Sequence, residues 1–216
     1  MKKIAVILSG CGVFDGAEIH EAVLTLHAIE KEGATWHCFA PNIDQLHVVN
    51  HLTGEVTEES RNVLVESARI ARGNVQDVKQ LVAQDFDALI VPGGFGAAKN
   101  LTTFAVAQAD CQINEDVKNA CLSFAQTKKP AGYMCIAPVI IPMVYASQAK
   151  GTIGNDEGTA SAFLQLGGEH KECPVNDIII DDQHNIVSTP AYMLAGSISE
   201  ANSGIERLVK EVVARA

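Results

Sequence analysis

Aromatic residues and long hydrophobic runs are both scarce in this chain of 216 residues. Aromatic side chains make up only 5% of the sequence, whereas hydrophobic residues as a whole make up 47%. The core is therefore expected to consist of aliphatic side chains, as is usual for α/β proteins whose parallel strands are buried on both faces. No apolar run approaches the roughly 20 residues of a transmembrane helix, so the sequence predicts no membrane-spanning helix.

Basic residues are also scarce. The chain has 16 lysines and arginines against 26 aspartates and glutamates, which gives a formal net charge of -10. Nucleic acids and anionic membrane surfaces are bound by clusters of Lys and Arg. We therefore expect neither a nucleic acid nor a membrane as a partner.

The six cysteines lack the spacing of a redox pair or a zinc site. They are Cys11, Cys38, Cys111, Cys121, Cys135 and Cys173. The apolar run at residues 1–8 resembles the start of a signal peptide, but it ends at Ser9-Gly10-Cys11-Gly12 and is more typical of a first buried strand. We expect reduced thiols in a cytoplasmic protein that holds no metal.

Short hydrophobic stretches alternate with amphipathic segments along the chain. The pattern predicts strands at residues 3–9, 35–40, 86–91, 131–134 and 152–154, and helices at residues 17–32, 115–127, 138–146, 158–166 and 198–214. A helix start is also predicted at residues 57–60, and residues 178–189 have the pattern of a β-hairpin. Strands that alternate with helices form a mostly parallel sheet covered on both faces. We predict one α/β domain over residues 1–216, a flavodoxin-like or Rossmann-like three-layer sandwich.

Ligands bind at the carboxyl ends of the strands in such a sheet. Three predicted strand ends carry glycine turns or an unusual residue, and we expect them to converge on one site. They are Ser9-Gly10-Cys11-Gly12, Pro92-Gly93-Gly94 and Met134-Cys135-Ile136. In the last of these, Cys135 lies between a short strand and a helix start marked by Pro138. The positive end of that helix would favour the thiolate, which makes Cys135 a candidate nucleophile.

Neither glycine-rich turn matches a nucleotide-binding motif. Residues 10–16 (GCGVFDG) resemble the dinucleotide fingerprint, but the third glycine comes one residue late and the strand at residues 35–40 ends without an acidic residue for the ribose. Residues 92–96 (PGGFG) lack the lysine of a P-loop. We therefore expect neither NAD nor NADP as a cofactor, and no ATP-type P-loop. The PGGFG turn fits an oxyanion hole for a nucleophile on a neighbouring strand, or equally a structural turn.

The first helix carries two histidines and two carboxylates near the predicted site. His20 and His27 are too far apart for the histidine pair of a zinc protease, so no metal site is predicted. Glu18 and Glu21 lie one turn apart near the helix start. One interpretation is that both negative charges stabilise the N-terminus of the helix, which is the more common role. The other is that one of the two carboxylates points into the site beside Cys135.

Several of these segments together resemble the ThiJ/PfpI superfamily. Residues 132–138 (GYMCIAP) are similar to its nucleophile turn, residues 92–94 to its oxyanion turn, and a glutamate on the first helix completes the pattern. The similarity is greatest to the ElbB branch, the isoprenoid biosynthesis proteins with an amidotransferase-like domain, and it spans essentially the whole chain. The stretches concerned are residues 9–16 (SGCGVFDG), 18–21 (EIHE), 50–55 (NHLTGE), 61–64 (RNVL), 92–101 (PGGFGAAKNL) and 189–193 (TPAYM).

The resemblance implies a class I glutamine amidotransferase-like fold and a homodimer. It also implies a cofactor-independent glyoxalase that converts glyoxal to glycolate and methylglyoxal to lactate. Cys135 would be the nucleophile and Glu21, rather than Glu18, the site glutamate. The oxyanion and substrate-binding positions would be Gly93, Gly94 and Ile136.

One departure from the superfamily concerns the histidine that many members place after the strand that follows the nucleophile. Residues 151–157 (GTIGNDE) contain none, so the sequence does not support acyl transfer by a Cys-His pair. The candidate accessory groups are Asn155, Asp156 and His20. Two alternatives to a glyoxalase stay open: a deglycase or hydrolase that uses Cys135, and a redox-sensing or chaperone-like protein that affects isoprenoid synthesis. The segment where a lid is expected carries Arg61, Arg69 and Arg72, for which a solvated helix face is the simpler interpretation.

Overall fold

The computed structural model describes residues 1–145 and 148–216. Its strands are β1 (Lys3–Ile7), β2 (Thr35–Ala40), β3 (Val49–Asn50), β4 (Glu55–Val56), β5 (Val75–Asp77), β6 (Ala88–Val91), β7 (Ala131–Met134), β8 (Lys150–Gly151), β9 (Glu169–His170), β10 (Ile179–Asp181) and β11 (Ile186–Thr189). Its α-helices are α1 (Ile19–Lys31), α2 (Val63–Ile70), α3 (Phe104–Ala107), α4 (Glu115–Gln126), α5 (Ile141–Val144), α6 (Glu157–Gln165) and α7 (Ile198–Arg215).

Seven strands form one sheet in the order β10-β11-β7-β6-β1-β2-β5. Neighbouring strands pair in parallel, except that β10 and β11 form an antiparallel hairpin. The predicted mostly parallel α/β sheet is therefore confirmed, and so is the hairpin. Two short pairs, β3 with β4 and β8 with β9, lie outside this sheet.

The two faces of the sheet are covered by different helices. Because side chains alternate across a strand, Ala5 and Ile7 of β1 join the core formed with α4 and α5, whereas Ile4 and Val6 join the core formed with α1 and α7. Burial of each such Ile or Val side chain stabilises the fold by about 1.5–3 kcal/mol, which holds β1 in the middle of the sheet. Within the part of the chain that the structure describes, no helix is both long and apolar enough to cross a bilayer.

The order of the strands fixes where a ligand can bind. The chain runs from β1 outwards to β2 and β5, and then returns to β6 on the other side of β1. The carboxyl ends of β1 and β6 therefore flank a topological switch point, the usual ligand crevice of an open parallel sheet. The glycine turn that follows β6 and the residues that lead into α1 both lie here.

Three predicted elements differ from the structure. The strand predicted at residues 152–154 is absent, because Gly154 has a φ of +94° and its N–H bonds the Thr152 hydroxyl in a turn. The helix predicted to start at residues 57–60 begins instead at Val63, where the Asn62 side chain accepts from the Val65 N–H at 3.1 Å.

The helix predicted at residues 138–146 is split into two short pieces. A 3-10 turn at Ala137–Ile140 is followed by α5, which ends at Val144. Pro138 and Pro142 remove two backbone donors from this segment, so an unbroken α-helical ladder cannot form through it. The last residue of the prediction, residue 146, lies outside the described residues.

Candidate active site

Cys135 lies on a strained turn at the carboxyl end of β7. Its φ is +60°, in the left-handed region that non-glycine residues rarely adopt. The turn is fixed from below, because the Cys135 N–H donates to the Thr189 carbonyl at the end of β11 over 3.1 Å. Only 8% of the residue is exposed. Strain of this kind persists where the surrounding structure enforces it, which is typical of functional sites.

Glu21 reaches the same point from α1 and is completely buried. Its Oε2 accepts from the Gly93 N–H at 2.9 Å, and its Oε1 accepts from the Tyr192 N–H at 3.1 Å. A Cβ placed on Gly93 would lie 2.8 Å from Glu21 Oε2 and 2.9 Å from Cys135 Sγ. The thiol and the carboxyl therefore meet over Gly93, a position that only glycine can occupy.

Two backbone N–H groups act on the thiol. Those of Gly94, in the glycine turn, and of Ile136, next to Cys135, lie near enough to the sulfur to lower the pKa of the thiol. Gly94 has a φ of +91°, and a Cβ there would lie 2.3 Å from the Glu18 nitrogen. The glycine turn therefore has two roles. It packs against the start of α1, and its Gly94 N–H is a hydrogen-bond donor at the place where negative charge would develop on a substrate oxygen.

Burial governs the protonation of this pair. It raises the pKa of Glu21 to about 7, against the opposing effect of the N–H groups of Tyr192 and Gly93. Burial also raises the pKa of the Cys135 thiol well above its usual value, and the Glu21 carboxylate raises it further. The N–H groups of Gly94 and Ile136 oppose this rise. The two groups interact directly and titrate as a pair.

The expectation that a helix end lowers the pKa of Cys135 is therefore wrong. The thiol is followed by the 3-10 turn Ala137–Ile140 and by α5, neither of which is longer than four residues. So short a segment sums few peptide dipoles, whereas burial and the adjacent carboxyl act at close range. Burial thus opposes ionisation of the thiol, and Glu21 is the carboxyl placed to take its proton.

Glu18 and Glu21 have different roles. Glu18 is the N-cap of α1, where its Oε2 accepts from the Glu21 N–H at 2.7 Å. Its own N–H donates to the Gly93 carbonyl over 3.0 Å. Glu18 therefore caps α1 and supports the Gly93-Gly94 turn. Glu21, one helical turn further along α1, lies against the thiol.

The three candidate accessory residues contact other groups. His20 is exposed, and its Nδ1 lies 2.8 Å from the Tyr192 hydroxyl. Asp156 is the N-cap of α6, where its Oδ1 accepts from the Thr159 N–H at 2.8 Å. Asn155 is exposed and lines a surface cavity of about 250 Å³ with Glu172 and other residues. These contacts give none of the three the role of the superfamily histidine.

Arg61 and Arg69, in the segment before β5, are held in surface ion pairs. Arg61 and Arg69 both contact the buried carboxylate of Glu66, at 3.6 Å and 2.9 Å. Arg61 also pairs with Glu59 at 2.8 Å. Arg72 is exposed at the end of α2, so a solvated helix face describes this group better than a lid over the site.

Two site residues were not predicted from the sequence. The Thr189 carbonyl anchors the nucleophile turn, and the Tyr192 N–H holds Glu21. Both belong to the stretch TPAYM at residues 189–193, which was one of the segments behind the family resemblance. Their roles could not be recognised from residue type, because both contacts are made by backbone atoms. In the ranges 1–145 and 148–216, no group of three or more metal-binding side chains converges.

The fold is the amidotransferase-like α/β fold of the DJ-1/ThiJ/PfpI proteins. The chain is 44% identical over 221 residues to the rat ES1 protein homolog, mitochondrial, and the match covers 98% of this chain and 83% of that protein. It belongs to the ES1 family of these amidotransferase-like proteins. No family model matches the chain.

Solved structures show the same fold. An isoprenoid biosynthesis protein with amidotransferase-like domain from Ehrlichia chaffeensis superposes with a TM-score of 0.93 at 39% identity, over 100% of this chain and 99% of that one. A glyoxalase III from Candida albicans superposes with a TM-score of 0.64 at 14% identity, over 99% of this chain and 97% of that one, and so shares the fold.

The curated relatives are named as mitochondrial, so the expected cytoplasmic location is wrong. Charge and cysteine usage could not show this, because reduced thiols and an acidic surface do not specify a compartment.

Proposed function

We propose that this protein is a cofactor-independent glyoxalase that converts glyoxal to glycolate and methylglyoxal to lactate. The observation that carries the proposal is the buried contact of the Glu21 carboxyl with the Cys135 thiol, below the N–H groups of Gly94 and Ile136. This arrangement supplies a nucleophile, a proton carrier and two oxyanion donors, which are the groups that the reaction requires.

In the first step, the Glu21 carboxylate takes the proton of Cys135 as Sγ adds to an aldehyde carbon of the substrate. The new oxyanion accepts hydrogen bonds from Gly94 and Ile136, and Glu21 then returns the proton to give a hydroxyl group. The product of this step is a thiohemiacetal. A carboxyl whose pKa is about 7 suits this task, because it gains and loses a proton with little free-energy cost near neutral pH.

In the second step, Glu21 removes the proton from the thiohemiacetal carbon and leaves an enediolate. The proton of the thiohemiacetal hydroxyl passes to the oxygen of the second carbonyl, and Glu21 delivers the proton that it took to the carbon of that carbonyl. The second carbonyl thereby becomes an alcohol and the first carbon becomes a thioester. Water hydrolyses the thioester, which releases the 2-hydroxy acid and restores the Cys135 thiol. One carbon is oxidised and its neighbour is reduced, so the reaction needs no external oxidant or reductant.

The direct test is turnover of glyoxal by the wild type and by Cys135→Ala. The substitution removes the nucleophile and should abolish turnover while the thermal unfolding temperature changes little. Cys173→Ala, at a second buried thiol that lines the surface cavity beside Asn155, is the matched control and should keep full activity. Unchanged turnover in Cys135→Ala would refute the proposed mechanism.

Two alternatives, a deglycase or hydrolase and a redox sensor, can be tested with the same purified protein. A deglycase or hydrolase would turn over glycated amines or amides faster than free glyoxal. A redox sensor requires a thiolate that solvent oxidants can reach. The burial of Cys135 and the raised pKa of its thiol favour an enzyme over such a sensor. Rapid oxidation of Cys135 by hydrogen peroxide, with negligible turnover of glyoxal, would reverse this preference.

A further inference from the structure

The turn after β11 holds the Glu21 carboxyl. The Tyr192 N–H donates to Glu21 Oε1 over 3.1 Å. The preceding residue, Ala191, is fully buried and has a φ of +44°, an uncommon conformation for a residue with a Cβ. The direction of the Tyr192 N–H therefore depends on a strained turn that some other contact must keep in place.

The side chain of Tyr192 supplies such a contact. Its hydroxyl lies 2.8 Å from His20 Nδ1, and the two rings pack with their centroids 5.8 Å apart. His20 directly precedes Glu21 on α1, and its Nδ1 also lies 3.8 Å from Glu18 Oε1. The turn that holds the Glu21 carboxyl is thus tied back, through a side-chain contact, to the helix that carries Glu21.

We propose that Tyr192 and His20 are positioning residues: the hydrogen bond between their side chains locks the turn, and the locked turn holds the Glu21 carboxyl against Cys135. Neither side chain needs to touch the substrate. This gives His20 a role other than that of a base, and it explains why an exposed histidine belongs to the site. The consequence for turnover rests on the proposed function, whereas the consequence for Glu21 itself does not.

The effect on Glu21 has a definite sign. The titratable groups that act on its carboxyl are Glu18 and Cys135, and Tyr192 lies within range of both glutamates. The two N–H donors, from Gly93 and Tyr192, stabilise the charged form of Glu21. Loosening the turn weakens the Tyr192 donor, so the pKa of Glu21 should rise in any variant that breaks the contact between Tyr192 and His20.

The test compares Tyr192→Phe and His20→Asn with the wild type. Tyr192→Phe keeps the ring and the backbone N–H, so it removes only the lock. His20→Asn changes an exposed side chain, which protects the test against a failure to fold. The controls are Tyr145→Phe, whose buried hydroxyl contacts Tyr133, and His27→Asn, further along the exposed face of α1.

The primary measurement is the titration of the Glu21 carboxyl by 13C NMR on carboxyl-labelled glutamate, with the signal assigned by its loss in Glu21→Gln. The midpoint should move to higher pH in both test variants and stay unchanged in both controls. For glyoxal turnover, kcat should fall about three- to tenfold in the test variants, the range that one hydrogen bond supplies, with little change in KM.

The outcomes separate this inference from the proposed function. A shifted Glu21 midpoint in a protein whose wild type does not turn over glyoxal would support the positioning role and refute the glyoxalase. An active wild type with unchanged midpoints and unchanged kcat in Tyr192→Phe and His20→Asn would refute the positioning role alone. A midpoint that moves equally in the control variants would also refute it.

Discussion

The Glu21 carboxyl and the Cys135 thiol meet directly above Gly93, where a Cβ would lie 2.8 Å from one and 2.9 Å from the other. Both groups are buried, and burial raises the pKa of each. The thiol and the carboxyl are therefore placed so that a proton can pass between them. A substrate that enters can draw the sulfur into attack only as Glu21 takes the proton, and this coupling leads to the predictions that follow.

Glu21→Gln should lower kcat for glyoxal by about 10²–10⁴, because glutamine cannot carry the proton between sulfur, oxygen and carbon. Glu18→Gln is the matched control on the same helix, since its amide oxygen can still accept from the Glu21 N–H and cap α1. Steady-state kinetics on both variants would check this. An equal loss in both, or a greater loss in Glu18→Gln, would reassign the proton carrier.

Gly93→Ala should abolish turnover. Its new Cβ would lie 2.4 Å from Cys135 Cβ, so it must displace the nucleophile and break the Gly93 bond to Glu21. Gly158→Ala is a suitable control, because a Cβ there meets only the Asp156 carboxylate at 3.6 Å and the residue lies in α6. Glyoxal assays alongside thermal unfolding would show whether activity is lost from a folded protein. Full activity in Gly93→Ala would contradict the described packing.

Protein stability should depend on pH through Glu21. The folded-state pKa of about 7 lies above the ordinary value of 4.5, so the unfolded chain loses the Glu21 proton first as pH rises. The protein binds this proton more tightly when folded. The stability that Glu21 contributes is therefore fully present below pH 4.5 and is lost as pH rises through about 7. The loss is about 3 kcal/mol when Glu21 is fully ionised.

The measurement is the free energy of unfolding in urea between pH 4.5 and 7.5, for the wild type and for Glu21→Gln. Taking the difference between the two proteins removes the contribution of every other ionisable group that behaves alike in both. The wild type should lose about 3 kcal/mol relative to the variant over this range. Parallel stability curves would mean that the pKa of Glu21 is not raised in the folded protein.

The turn at Cys135 should show its strain in a comparison of two inactive variants. Cys135→Gly should be more stable than Cys135→Ala by about 1 kcal/mol, because glycine adopts a φ of +60° without the Cβ clash. Denaturation in urea would measure the difference. Cys121→Gly and Cys121→Ala, in the middle of α4, should show the opposite order, since glycine destabilises a helix relative to alanine by about 1 kcal/mol.

Much of the fold could be predicted from the sequence because its signals are local. The strands at residues 35–40 and 131–134 have the predicted bounds, and the hairpin at residues 178–189 forms as expected. The predictions failed where a long-range or a competing local bond decided the structure. The Asn62 cap moved the start of α2, and the prolines at positions 138 and 142 divided the helix after the nucleophile.

By itself, the sequence determined the alternation of strands and helices, and it singled out Cys135, the glycine turn after β6 and a pair of glutamates. The family resemblance pointed to Glu21 rather than Glu18 as the site glutamate, and the tertiary structure showed that Glu21 meets the thiol while Glu18 caps the helix. It also revealed the contacts of Thr189 and Tyr192, and it reversed the expected direction of the thiol pKa. The physical reason is common to these cases: burial and backbone hydrogen bonds between distant segments depend on how the layers pack. The type and spacing of residues along the chain do not directly show which groups become buried or which distant backbone groups become hydrogen-bonded.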